Sequence, residues 1–187
     1  MNSTKKIIFD ADIIRSFGVI GELDLLIDLY KDRIVVPSVV KDELEVLKNG
    51  RYKNIYTSFN TLVKNGKIEI FEIMYGTEEF DLYIKLSDDN GTYKIGEGEA
   101  AVLAIAMNNE KYISSSNLRD IQRFVDNKLV LNKPTLDILC DVYISKKRNL
   151  SEIEYIKKQM ILKGRILPPE SMKDLFIDRN LLREEDK

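Results

Sequence analysis

The amino-acid sequence predicts an α/β protein, a three-layer α/β/α sandwich with a mainly parallel central sheet. Short apolar runs rich in β-branched residues alternate with longer segments of helical periodicity, which is the pattern of strands joined by crossover helices. The 187 residues, of which 44% are hydrophobic and 32% charged, suffice for one folding unit with a sizeable core. Functional side chains are expected at the carboxyl ends of the strands of such a sheet.

The first half of the chain contains three predicted strands. They are short apolar runs with β-branched residues, at residues 6–9, 33–36 and 67–73. The first strand ends at Asp10 and leads directly into a turn. Helical periodicity or a typical helix start predicts helices at 21–32, from Pro37 and Ser38 onward, at 52–64 and at 78–88. The last of these helices belongs to a predicted insertion near residues 76–95, which contains a turn at Asp89, Asn90 and Gly91.

The second half begins with a segment, residues 96–109, that is apolar on almost all sides beyond its first turn. Such a helix is expected to be buried against the sheet. Strands are predicted at 111–114 and 128–131, and helices at 117–125, 135–147, 152–163 and 170–182. The last two helices form a C-terminal extension over residues 151–183, and the final REEDK is expected to fray. We expect residues 1–187 to form a single domain.

Composition excludes several classes of protein. The sequence has no histidine, so it has no imidazole base and no histidine metal ligand, and its one cysteine, Cys140, cannot form an internal disulfide. The longest apolar run, residues 100–107, is far shorter than the roughly 20 residues that cross a bilayer. The first residues lack the apolar stretch of a secretory signal. We therefore expect a cytoplasmic protein without a membrane segment.

Charge is nearly balanced overall, with 29 basic and 31 acidic side chains and a net charge of −2, so the chain has no global attraction to polyanions. One segment, residues 145–165, is locally basic. Its basic residues are Lys146, Lys147, Arg148, Lys157, Lys158, Lys163 and Arg165. Two interpretations remain open: these side chains follow the phosphates of a nucleic acid, or they form the solvated face of two helices.

Acidic side chains stand beside several predicted strands and helices. Asp10 and Asp12 follow the first strand, Glu43 lies on the helix after the second, and Glu97 and Glu99 open the buried helix. Carboxylates that share a cleft repel one another unless a cation neutralises them, and oxygen ligands suit Mg²⁺ or Mn²⁺. Each residue also has a structural interpretation, as a helix cap, as a partner of a helix dipole or as an ordinary exposed acid.

Three of these segments, in this order, resemble the PIN-domain family of metal-dependent ribonucleases. They are IIFDAD, VVPSVVKDEL and GEGEAAVLAIA, and the resemblance covers most of residues 6–145. It implies that Asp10, Glu43 and Glu99 are catalytic and bind metal, that Glu97 is a further metal ligand, and that Asp12 lies at a substrate-binding position. It also implies that the chain is an endoribonuclease that uses Mg²⁺ or Mn²⁺ to hydrolyse RNA phosphodiester bonds.

The chain departs from the family at its fourth motif, which here is YISSSNLRDIQRF. Ser116 or Asn117 stands where the family offers an aspartate. Asp120, about one helical turn after Ser116, is the candidate replacement as a metal ligand. The candidate substrate-binding residues of this segment are Ser115, Ser116, Asn117 and Arg119. Alternatively, the serines cap a helix and the arginine and aspartate are surface residues.

The resemblance also implies partners and leaves rival functions open. The segment GELDLLIDLYKDRIVV is similar to a bacterial branch whose members are often toxins of toxin–antitoxin pairs. RNA is the expected substrate, and an antitoxin protein and a second copy of the chain, as a homodimer, are candidate partners. A noncatalytic PIN-like module that binds RNA or protein is one alternative. A haloacid-dehalogenase-like phosphatase is another, since IIFDADII also fits an Asp-x-Asp motif after a strand.

Overall fold

The computed structural model describes residues 5–88, 95–109 and 112–186, and in them five strands form one sheet. The strands are β1 (Ile7–Phe9), β2 (Ile34–Pro37), β3 (Glu69–Phe71), β4 (Tyr112–Ser114) and β5 (Leu131–Asn132). Their spatial order is β3-β2-β1-β4-β5, and every neighbouring pair is parallel. The predicted α/β/α fold with a parallel sheet is therefore confirmed.

Ten helices flank the sheet within the described ranges. They are α1 (Ala11–Gly18), α2 (Leu23–Tyr30), α3 (Ser38–Glu45), α4 (Lys53–Lys64), α5 (Glu78–Ser87), α6 (Glu97–Asn108), α7 (Leu118–Asp126), α8 (Thr135–Ile144), α9 (Leu150–Leu162) and α10 (Met172–Asp178). Three short 3₁₀ helices cover Lys31–Arg33, Val46–Asn49 and Glu184–Asp186. The turn predicted at Asp89, Asn90 and Gly91 lies outside the described residues.

Helix α1 is the main difference from the predicted elements. The sequence predicts a turn directly after the first strand, and this prediction was wrong, because Asp10 caps a helix that begins at the next residue. The side chain of Asp10 accepts a hydrogen bond from the backbone N–H of Ala11, and Ile13, Ile14 and Phe17 are buried on the inner face of the helix. A helix this short is stabilised mainly by its cap and its buried face.

The sheet order places β1 at the centre, between β2 and β4. Ile8 is in register with both Val35 and Ile113, so the three strands run side by side. Because they are parallel, their carboxyl ends meet at one edge. Helix α6 packs against these three strands, and its residues 100–106 are almost fully buried, as predicted for this apolar segment. The segments that carry Asp10, Glu43 and the serine-rich motif therefore leave the sheet on the same side.

The C-terminal residues are more ordered than predicted. The guanidinium group of Arg183 lies 4.0 Å from the centre of the Tyr143 ring and donates hydrogen bonds to the carbonyl oxygens of Tyr143 and Arg148. The hydroxyl group of Tyr143 donates to the carboxylate of Asp186. The prediction that REEDK frays was wrong over residues 183–186, because these contacts bind them to α8.

The basic segment 145–165 contains residues with structural roles. Lys157 is buried, and its ammonium group donates to the carbonyl oxygen of Glu170. Arg148 pairs with Glu22 at 3.5 Å. These side chains hold the C-terminal helices in place, which favours the structural interpretation for this part of the segment. No helix in the described part of the chain is both long and apolar enough to cross a membrane.

Candidate active site

Asp10 lies at the carboxyl end of β1 and is only 3% exposed. Its Oδ1 accepts a hydrogen bond of 2.7 Å from the N–H of Ala11, and its Oδ2 accepts one of 2.9 Å from the hydroxyl group of Ser115. The backbone N–H of Asp10 also donates to the carbonyl oxygen of Ser114, at 3.0 Å. Contacts from α1 and from the end of β4 therefore fix the orientation of this carboxylate.

Asp12 lies in the first turn of α1 and points toward the loop that follows β4. Its Oδ2 accepts a hydrogen bond of 2.8 Å from the backbone N–H of Ser116. Its Oδ1 is buried and has no hydrogen-bond partner among the described residues. A buried carboxylate oxygen without a partner is costly, so this atom is an acceptor that a water molecule or cation would satisfy.

The serine-rich loop after β4 is held by hydrogen bonds from the neighbouring strand and helix. The side chain of Asn132 accepts from the N–H of Ser115 at 3.0 Å and donates to its carbonyl oxygen at 2.9 Å. The hydroxyl groups of Ser116 and Thr135 lie 2.9 Å apart. Ser115 in turn accepts from the N–H of Asn117 at 3.1 Å. The loop is therefore a rigid wall of the site.

Asn117 occupies a central position among the acidic side chains. Its amide nitrogen donates to Oε1 of Glu99 at 2.8 Å and to Oδ2 of Asp120 at 3.0 Å. The structure thus connects Asp120 to Glu99 through a neutral amide. The other oxygen of Asp120 accepts from the guanidinium group of Arg119 at 3.2 Å, and the Arg119 side chain is 90% exposed.

Glu43 reaches the site from α3 because the facing residue of α6 is a glycine. A Cβ atom at Gly98 would lie 2.9 Å from Oε2 of Glu43 and 3.7 Å from Oδ1 of Asp10. The missing side chain therefore leaves the space in which the two carboxylates approach each other. The other oxygen of Glu43, Oε1, forms an ion pair of 3.0 Å with Arg15.

A cleft of about 600 Å³ opens between α3, α5 and α6 beside Glu43. Its lining residues are Val39, Asp42, Glu43, Val46, Tyr83, Gly96, Glu97, Gly98 and Glu99. Glu97 is exposed in this wall. Burial, together with the nearby charge of Glu97, raises the pKa of the Tyr83 hydroxyl group. The structure thus places Glu97 on the same cleft as Glu43 and Glu99.

The acidic side chains act on one another electrostatically. Burial raises the pKa of Asp10 well above its ordinary value, and the carboxylates of Asp12 and Glu99 raise it further. Burial also raises the pKa of Asp12. For Glu43, burial raises the pKa, the Arg15 guanidinium group opposes the rise, and Glu99 adds to it. The cleft therefore concentrates negative charge that the fold itself neutralises only in part.

The positions and the chemistry of the acidic side chains determine whether the site fits a metal ion. Within the described ranges, no three acidic or cysteine side chains are close enough together to hold an ion as they stand. The donor set is nevertheless that of a hard divalent cation, because it consists of carboxylate oxygens. The unpaired Oδ1 of Asp12 and the raised pKa of Asp10 are both features that a bound cation would resolve. The residues present therefore fit such an ion.

Sequence reasoning missed several residues that hold the site together. Arg15 pairs with Glu43, and Arg165 donates to the hydroxyl group of Ser16 at 3.0 Å and to the carbonyl oxygen of Asp12 at 3.3 Å. No signal in the sequence identifies these long-range partners. Asn132 and Thr135 could have been found, because Asn132 is the last residue of β5, Thr135 follows that strand, and the carboxyl ends of parallel strands meet at one edge.

Comparisons with known proteins give one match. A family model described as PIN domain matches residues 6–114, which is more than half of the chain. The matched segment runs from β1 to the end of β4 and contains Asp10, Glu43 and Glu99. Comparison with curated proteins and with solved structures gives no match.

Proposed function

This chain belongs to the PIN-domain family, and on that premise we propose that it is a divalent-metal-dependent endoribonuclease that hydrolyses RNA phosphodiester bonds. PIN domains are generally nucleases and typically use divalent metals. The observation that carries the proposal is the convergence of Asp10, Asp12, Glu43 and Glu99 at one edge of the sheet, with Oδ1 of Asp12 unpaired among the described residues. Membership of the PIN-domain family rules out the alternative of a haloacid-dehalogenase-like phosphatase.

We propose that Asp10, Glu43 and Glu99 bind Mg²⁺ or Mn²⁺, with Glu97 and Asp120 as outer members of the acidic group. When bound, such a cation activates water as a Lewis acid and neutralises charge on the phosphate. The protein keeps the ligands in place: Ser115 orients Asp10, and Asn117 orients Glu99. Asp10 and Glu99 are thus each held by a neutral donor, which restricts the side chain without cancelling its charge, whereas Glu43 pairs with the charged Arg15.

The chain also supplies groups for the water and the RNA. The sequence has no histidine, so a carboxylate is the natural proton acceptor. Oδ1 of Asp12, which has no hydrogen-bond partner among the described residues, would take a hydrogen bond from the attacking water. Ser116 and Asn117 are partly exposed and would contact the substrate, whereas Ser115, predicted as a substrate-binding residue, is buried behind them. The exposed guanidinium group of Arg119 would contact a phosphate there.

The proposal is tested by incubating a mixed pool of single-stranded RNA with the protein and Mn²⁺. Cleavage is expected with wild type and is expected to disappear with a chelator, with Asp10→Asn and with Glu43→Gln. Glu45→Gln is the matched control, because Glu45 lies on the same helix but pairs with Lys48 outside the site. Unchanged cleavage by Asp10→Asn contradicts the assignment of the site.

A second candidate function is a noncatalytic module that binds RNA or protein. The observation that favours it is the neutral Asn117 between Glu99 and Asp120, where the family offers an aspartate. Folded wild-type protein that binds the RNA pool in a filter assay, and leaves it intact with Mn²⁺, supports this module over the nuclease.

We further propose a single domain, a cytoplasmic location, a toxin role, an antitoxin partner and a homodimer. A single domain over residues 1–187 is supported by one continuous buried cluster that runs from Ile7 to Phe176. A cytoplasmic location, a toxin role, an antitoxin partner and a homodimer rest on the sequence alone. Sedimentation of the purified protein tests the homodimer, and co-expression with the product of the neighbouring reading frame tests the antitoxin.

A further inference from the structure

One positive side chain of the protein lies among the acids of the cleft. Arg15 extends from α1, and its Nη2 is 3.0 Å from Oε1 of Glu43. The two side chains are 32% and 41% exposed, so the pair is partly accessible to solvent. The Nε of Arg15 is buried without a hydrogen-bond partner in the described part of the chain.

The contribution of the Arg15–Glu43 ion pair to the stability of the fold is small. Partly exposed ion pairs stabilise proteins little, and a buried N–H without a partner works against stability. The other charges that act on Glu43 are the carboxylates of Glu99 and Asp12, which repel it. Arg15 therefore provides the positive charge that acts on Glu43, whereas Arg165 acts on Asp12.

We propose that Arg15 is a built-in counter-ion of the acidic cleft, which holds Glu43 in the metal-free protein and competes with the divalent cation for this carboxylate. The inference rests on the proposed function, because it requires an ion that Glu43 would ligate. Binding of the ion then requires Glu43 either to break its contact with the Arg15 guanidinium group or to share its negative charge between that group and the ion. Arg15 thus lowers the affinity of the cleft for the cation while keeping the empty cleft folded.

The experiment measures Mn²⁺ binding to the full chain by isothermal titration calorimetry. We expect Arg15→Gln to bind Mn²⁺ about three- to tenfold more tightly than wild type, because a competing positive charge is removed beside a ligand. Arg15→Lys keeps the charge and is expected to stay close to wild type. If Arg15→Gln does not fold, Arg15→Met, which keeps the aliphatic stem, carries the same expectation.

Arg148→Gln is the matched control. Arg148 also pairs with a glutamate, Glu22, at 3.5 Å and with exposed fractions of 33% and 32%, but outside the cleft. Its loss changes the net charge of the protein by the same amount, and we expect unchanged Mn²⁺ affinity.

Two results overturn the inference while leaving the proposed function in place. The first is that Arg15→Gln binds Mn²⁺ no more tightly than wild type. The second is that Arg148→Gln gains as much Mn²⁺ affinity as Arg15→Gln. Folded wild-type protein that binds no Mn²⁺ contradicts the proposed function and the inference together, and the wild-type titration alone reveals that case.

Discussion

Replacing Gly98 with alanine is expected to damage the candidate site without damaging the fold. The new Cβ atom would lie 2.9 Å from Oε2 of Glu43, whereas its distance to the nearest atom of Val40, 3.6 Å, is ordinary van der Waals contact. The atom that must move is thus the end of a flexible, half-buried side chain. The carboxylate has to shift by about 0.5 Å to reach a normal contact distance, which is about the tolerance of a preorganised ligand set.

Gly98→Ala should therefore lower the activity of the protein but not its stability. A misplacement of 1 Å lowers rates by about 100-fold, so we expect roughly tenfold weaker Mn²⁺-dependent cleavage. Alanine is the better helix former, by up to about 1 kcal/mol within a helix. The free energy of unfolding should therefore stay equal or rise, with a melting temperature higher by up to about 2–4 °C.

The assay compares RNA cleavage at saturating Mn²⁺ with thermal unfolding in the presence of a chelator. Gly50→Ala is the control, because the nearest atom to its Cβ is a carbonyl oxygen at 3.9 Å and the residue is exposed. The reasoning is refuted if Gly98→Ala cleaves RNA like wild type, or if its melting temperature falls together with its activity.

Two further predictions concern the charge of the site and the C-terminus. Because burial and neighbouring carboxylates raise the pKa of Asp10, the folded protein binds that proton more tightly than the unfolded chain. With a chelator present, we compare the stability of wild type with that of Asp10→Asn. Wild type should lose stability relative to this variant as the pH rises from about 3.8 toward the raised pKa of Asp10 in the folded protein. A melting temperature of wild type that rises relative to the variant over this range would contradict the prediction. Arg183→Ala removes the hydrogen bond to the carbonyl oxygen of Tyr143 and the contact with its ring, so the free energy of unfolding in urea should fall by about 1–3 kcal/mol. An unchanged urea midpoint would mean that these residues fray in solution.

The parts of the fold that the sequence predicted correctly are those with local patterns. Apolar runs predict the five strands, and the rule that parallel strands end at one edge predicts that Asp10 and Glu43 lie near each other. In the structure, Oε2 of Glu43 and Oδ1 of Asp10 lie 2.9 and 3.7 Å from the Cβ position of Gly98. The sequence predicts a turn after the first strand, whereas Asp10 instead serves as the N-cap of α1. The last strand was predicted at 128–131 but lies at Leu131–Asn132, since a two-residue strand has no alternation to recognise.

The details of the site depend on contacts between distant residues. In the motif YISSSNLRD, spacing alone does not decide whether Ser116 or Asn117 stands at the position of the missing acid, with Asp120 as its candidate replacement. The structure separates them, because Asn117 contacts Glu99 whereas Ser116 turns its hydroxyl group to Thr135. Arg15 and its partner Glu43 are 28 positions apart, and no periodicity connects them.

The hydrogen bond between Ser115 and Asp10 joins residues that are 105 positions apart, and this separation affects the timing of synthesis. A ribosome adds roughly 5–20 residues per second, so on the order of 5–20 s pass between the translation of the two residues. During that interval, β1 has been synthesised but β4 has not, so one of the two strands that flank β1 in the sheet is missing. For the ribonuclease proposed above, the nascent chain would be unable to cut RNA, including its own messenger, until most of the protein had been made.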